Sequence, residues 1–211
     1  MSLTTNDPFQ RLQANLVTIK FLVMQRTLRI LALILLSAIC LPARPNQIKS
    51  TVVCDSSALP VSARRLLESR FSEWRLKLAS DMDSADQQLW LTAAQGEKCP
   101  GMVAGHFEFG EQTSYAVLLV EKSKPTEGYK VGVLTKNVAS EDYVWKLIDH
   151  AATQAYSGLI ISKAPPGRYS DLEGNKSILI KLDGIRVEWL EKGAVLFFWS
   201  AGKYQRIVVS D

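Results

Sequence analysis

Two histidines, three cysteines and a few paired carboxylates are the residues of this 211-residue chain whose types and spacing could do chemistry. His106 and Glu108 stand two apart, the spacing that places two side chains on one face of a strand. An imidazole beside a carboxylate can work as an acid and base couple. The plainer expectation is a histidine on a hairpin surface, and no catalytic residue is assigned. His150 follows Asp149, and neighbours along a strand face opposite sides, so Asp149 is badly placed to orient it. Glu188 with Glu191, and Glu141 with Asp142, read as turn and edge charges rather than as a glycosidase pair held across a cleft. There is no His-x-x-x-His or Cys-x-x-Cys spacing, no Gly-x-Ser-x-Gly elbow and no phosphate-cradling loop. No metal site and no cofactor is therefore expected.

The loop Lys163-Ala164-Pro165-Pro166-Gly167-Arg168-Tyr169-Ser170-Asp171 carries recognition chemistry instead. Two prolines stiffen it, Arg168 and Tyr169 are types enriched at binding hot spots, and a preorganised loop loses less entropy on docking. Lys163, Arg168, Tyr169, His106 and Glu108 are the candidate binding residues. The tryptophans at 74, 90, 145, 189 and 199 could stack on sugars, but most alternate with aliphatic neighbours as core aromatics do.

Arg26 and Arg29, the apolar run 30–41 and Pro42-Ala43 have the three-part layout of an export signal. The run falls short of the roughly 20 apolar residues a spanning helix needs. A cleaved leader over 1–43 is expected, with Leu41 and Ala43 before the cleaved bond and no stable membrane span left after cleavage. Ile39 before Cys40 argues against a lipidation site. Residues 1–23 are long for an n-region, and Met24 is the expected natural start.

The whole chain carries 25 basic and 21 acidic residues, but four of the basic ones and one acidic one lie in the leader. Residues 44–211 are close to neutral, which removes the basis for nucleic-acid binding. Cys40 leaves with the leader, and Cys54 and Cys99 remain. An even pair in an exported chain points to a disulfide, as the oxidising envelope favours. The expected location is periplasmic or secreted.

These residues need elements to hold them. From Pro60, Ala63, Leu66, Leu67 and Phe71 recur at helical spacing. Trp74, Leu76 and Leu78 then alternate as a strand, and Asp81 to Ser84 cap a short helical turn reaching Leu89 and Trp90. Strands are expected over 102–109, 114–121, 129–135, 143–148 and 159–162. At the end, 176–182 and 185–189 flank Asp183-Gly184, a strong hairpin signal, and two more turns lead to 194–200 and 204–209. The expectation is one α+β domain over 44–211, mostly antiparallel. One curved or barrel-like sheet of about seven to nine strands carries an N-terminal helix and ends in a four-strand meander.

The stretch Cys99-Pro100-Gly101-Met102-Val103-Ala104-Gly105-His106-Phe107-Glu108-Phe109-Gly110, leading to Tyr115-Ala116-Val117-Leu118-Leu119, resembles the FG-GAP or VCBS-like repeat of exported proteins. There a Gly-Asp-Phe-Asn-Gly-Asp-Gly loop binds calcium and leads into an Asp-Tyr-Ala-Leu-Leu strand. His106, Glu108, Gly110 and Ser114 stand where that pattern has Asp, Asn, Asp and Asp, so one hard anionic oxygen remains. Calcium takes six to eight oxygens, and the resemblance therefore implies the hairpin without the ion. It occurs once, which argues against a propeller. Phe71-Ser72-Glu73-Trp74-Arg75 ahead of it resembles small exported bacterial proteins of uncharacterised function.

Three classes of function fit. The preferred one is an exported binding domain that recognises a protein partner in the envelope, such as an inhibitor or immunity protein against an envelope-targeting enzyme. An enzyme acting on envelope glycans or peptides, with His106 and Glu108 involved, is the second. The third is a structural or ligand-carrying envelope component.

Overall fold

The computed structural model describes residues 54, 56–93, 99–108, 111–153 and 156–209. The expected leader, Met24, Cys40, residues 44–51, and Phe109 and Gly110 of the resembling stretch lie outside these residues. Among the described residues the chain is α+β, with two α-helices and eleven mostly antiparallel strands. No helix among them is long and apolar enough to cross a membrane.

The first helix, α1 (Val61–Arg70), starts after Pro60 and turns Ala63 and Leu67 inward. The short strand β1 (Trp74–Leu76) follows, as the alternation implies. Asp83 Oδ1 then accepts the backbone N–H groups of Ala85 (3.0 Å) and Asp86 (2.9 Å), capping α2 (Ser84–Ala93). Strands β2 (Met102–Gly105), β3 (Ser114–Glu121), β4 (Tyr129–Lys136) and β5 (Tyr143–Ala151) form the first sheet with β1. Strands β6 (Leu159–Ala164), β9 (Gly184–Trp189), β10 (Gly193–Ser200) and β11 (Lys203–Val209) form a second sheet. Strands β7 (Gly167–Ser170) and β8 (Ser177–Ile180) pair only with each other.

A barrel-like sheet is not what these strands make. Both larger sheets are open, in the orders β1-β3-β4-β5, with β2 also on β3, and β11-β10-β9-β6. Their facing sides share one core: Ala116, Leu118, Val131 and Val133 from the first sheet, Leu159, Ile161, Ile185, Val187 and Phe197 from the second. The far side of the first sheet, through Val117, Leu119, Leu134 and Trp145, packs on Leu59, Ala63 and Leu67 of the helical segment. The far side of the second, through Ala194, Leu196 and Val209, is covered by Ile178, Ile180 and Tyr169 of the β7–β8 hairpin. Four layers result: helix, sheet, sheet, hairpin.

The C-terminal meander has three strands rather than four, because β8 leaves it. A type I′ hairpin turn needs positive φ at both central residues, and neither Asp183 nor Gly184 has it. Asp183 is committed elsewhere. Its Oδ2 accepts the His106 N–H (2.9 Å) and its own N–H donates to the His106 carbonyl (3.2 Å), tying the strand entry to the end of β2. Gly184 serves close packing, since a Cβ there would stand 2.7 Å from Leu196 Cδ1. Ala201 and Gly202, with φ of 51° and 76°, do make the tight turn expected between β10 and β11.

Candidate functional site

The sequence pair His106 and Glu108 separates in the fold. Strand β2 ends at Gly105, so the alternation that would place them on one face stops before them. His106 is exposed. Glu108 is buried, and its Oε2 takes a hydrogen bond and an ion pair from Lys146 Nζ on β5. Lys146 also stands over the Trp199 ring of β10 (4.7 Å), and Trp199 meets Tyr204 of β11 edge-on (5.1 Å). Burial, and then the nearby Glu108 carboxylate, push the Tyr204 hydroxyl well above the usual phenol range. This cluster joins the two sheets. It leaves Glu108 neutralised by a lysine rather than poised beside an imidazole.

Of the other carboxylates, Glu141 and Glu191 are turn charges as expected, whereas Glu188 is half-buried on β9, an inner strand of the second sheet. Glu141 sits in a left-handed turn (φ 59°) and pairs with Lys136 at 3.2 Å; Glu191 occupies a similar turn (φ 61°). Arg186 pairs with Glu188 at 3.3 Å. Among the described residues, no three His, Cys, Asp or Glu side chains converge as metal ligands.

Cys54 and Cys99 form a disulfide, with Cα atoms 4.8 Å apart. The bridge lies beside the Lys77 backbone: Lys77 O is 3.5 Å from Cys54 Sγ. The Lys77 side chain is 0% exposed, and its Nζ is buried with no hydrogen-bond partner. Burial holds its ionisation below the ordinary lysine range, against the attraction of Asp81 and Asp86. An unpaired buried amine is costly. Lys77→Met is therefore expected to stabilise the domain by about 1 to 3 kcal/mol in urea denaturation near neutral pH. Because the folded amine binds its proton less tightly than the unfolded one, wild-type stability rises with pH towards the ordinary lysine value of 10.5. The advantage of the methionine variant should shrink over that same rise, and a pH-independent difference would count against this origin.

The proline-stiffened segment is mostly strand rather than loop, with Pro165 and Pro166 joining the end of β6 to β7. Arg168 and Tyr169 lie on β7, with Arg168 opposite Leu179 and Tyr169 opposite Ile178. Tyr169 faces inward, packs with the outer core and donates its hydroxyl to Pro165 O (2.7 Å). It anchors the hairpin while staying half-buried. Arg168 is exposed, near the Ser177 hydroxyl at 3.5 Å. Leu179 beside it is 61% exposed, and Leu172 in the connecting turn is 63% exposed. Lys163 belongs to β6, opposite Ile185.

A feature that sequence reading passed over lies on the opposite layer. Between α1 and β1 runs an open groove of about 500 Å³. Leu67, Leu76 and Leu119 form its buried floor, and Phe71, Trp74 and Leu78 its half-buried walls. Arg64, Glu68, Arg75 and Lys122 stand along it. The signal was present: Trp74 and Leu78 alternate as a strand and also continue the helical stripe that ends at Phe71, as residues at a helix-to-strand corner would.

No protein-family model, curated protein or solved structure matches the chain.

Proposed function

We propose that this chain is an exported binding protein whose partner is another protein of the cell envelope, in the manner of an inhibitor or immunity protein. The observation that carries this reading is the outer hairpin. It displays an exposed arginine and two exposed leucines, Arg168, Leu179 and Leu172, on a layer fixed from beneath by Tyr169, Ile178 and Ile180. Arginine with apolar neighbours on a rigid surface is hot-spot chemistry, and little ordering entropy is lost when such a surface docks. The disulfide supports an oxidising location. The β2–β3 hairpin that resembles the FG-GAP repeat enters as scaffold: its one retained anionic side chain, Glu108, is engaged by Lys146.

The test is affinity capture from envelope extracts with the full-length, oxidised chain. Wild type is expected to retain one protein stoichiometrically. Arg168→Glu with Leu179→Glu, both at exposed positions, should weaken that complex by about thirtyfold or more while circular dichroism stays unchanged. Failure of wild type to retain any protein, or undiminished capture by the double variant, would overturn the reading.

A further inference from the structure

We infer that the groove between α1 and β1 is a binding site for a single-chain anionic amphiphile, a fatty carboxylate or a similar chain with a negative head. It lies on the layer opposite the β7–β8 hairpin, so the inference stands apart from the protein-binding reading. Three features of the groove select this chemistry.

The first is its interior. The deep lining is Leu67, Leu76 and Leu119, flanked by Phe71 and Trp74. None of these offers a hydrogen bond to an occupant except the indole N–H of Trp74, whose ring face is already covered by Lys130 Nζ at 3.0 Å. A sugar or a peptide strand pressed onto that floor, away from the polar side chains along the mouth, would bury polar groups without partners, at a cost of about 1 to 3 kcal/mol for each. A hydrocarbon chain has none to lose, and the cavity's roughly 500 Å³ is in the range that small-ligand sites occupy.

The second is the charge along the mouth. Arg75 is neutralised by a two-pronged pairing with Asp81, NH1 to Oδ2 at 2.6 Å and NH2 to Oδ1. Arg64 and Lys122 have no ion pair among the described residues, against the single carboxylate of Glu68. The net charge left to meet a ligand's head is positive. The third is the floor's stiffness: Leu67, Leu76 and Leu119 belong to the core between α1 and the first sheet, so the site is formed before a ligand arrives.

Calorimetric titration of the full-length chain, disulfide intact, tests this with dodecanoate below its micelle concentration, dodecyltrimethylammonium, and vesicles of anionic phospholipid. Dodecanoate should bind one to one and about tenfold more tightly than the cationic amphiphile. Ser72→Trp, an exposed lining position whose new ring would occupy the mouth, should weaken dodecanoate by about tenfold or more. Glu68→Lys should strengthen it, and Lys122→Glu weaken it, by about threefold each, which gives two charge readouts independent of the Ser72 variant. Equal affinity for both head groups, no effect of the charge variants, or binding to vesicles without binding to dodecanoate would each overturn the inference. The last would indicate a membrane-surface contact instead of a groove.

Discussion

Gly101→Ala is expected to destabilise the domain severely. A Cβ at Gly101 would stand 2.4 Å from the Lys77 carbonyl oxygen and 2.8 Å from the Lys77 nitrogen. Both are backbone atoms, so no side-chain rotation relieves the overlap. The two backbones are also fixed by what they bind. Lys77 N–H donates to Leu118 O (3.0 Å), and Leu118 N–H donates to Gly101 O (2.8 Å), so three chain segments meet at one point of the first sheet. Cys99, two residues away, is held by the disulfide. Separating the segments would break these bonds and open the core beside Leu118. The cost is about 3 kcal/mol or more, a large part of the 5 to 15 kcal/mol that stabilises a domain. Thermal denaturation followed by circular dichroism checks it. Gly167→Ala is the control, because the nearest atom to a Cβ there is 3.8 Å away. That variant should stay within about 1 kcal/mol of wild type, and a Gly101→Ala melt as cooperative and as high as the control's would refute the packing argument.

The same junction shows which parts of the fold could be read from the chain. Individual strands were legible where turn residues bound a β-rich run: β3 spans Ser114–Glu121 as the pattern predicts, and α1 begins after Pro60. Partners were not. The run Tyr115-Ala116-Val117-Leu118-Leu119-Val120 is apolar at every position because both faces of β3 are covered, one by α1 and one by the second sheet. A half-buried strand of a barrel would alternate. That continuous run was the available sign of stacked layers. Asp183-Gly184 misled for a related reason. Local turn propensity was outweighed by a pair of hydrogen bonds to His106, 77 positions away in the chain, which no short-range pattern announces. At the candidate sites, residue type pointed to Arg168 and Tyr169 alike, and only the pairing of β7 with β8 shows that Arg168 faces out while the Tyr169 ring and hydroxyl hold the hairpin down. The partner of Glu108, Lys146, comes from β5, and the ring that Lys146 stands over, Trp199, comes from β10, so the cluster is brought together only by the packing of two sheets.

Removing the disulfide, by reduction or as Cys54→Ala with Cys99→Ala, should cost about 4 kcal/mol on the chain-entropy estimate for a loop of this length. The bridge closes a sequence separation of 45 and encloses α1, β1 and α2. In a domain of this size such a loss corresponds to a fall in Tm of about 10 °C, and a shift under 2 °C would refute the estimate. The loss should not be spread evenly. The start of α1 has no side-chain cap, since Pro60 supplies none, so Leu59, Ala63, Leu67 and the bridge are what fix this end of the helix. Amide exchange should therefore rise first over residues 56–70, ahead of the second sheet, whose strands all lie outside the bridged loop. Cys54 also lines the groove beneath α1, whereas the β7–β8 hairpin lies on the far layer. Mild reduction is thus expected to weaken dodecanoate binding while leaving capture of a protein partner through Arg168 and Leu179 unchanged. Loss of both together would mean that the two faces are coupled through the sheets, and that the four layers respond to the bridge as one unit.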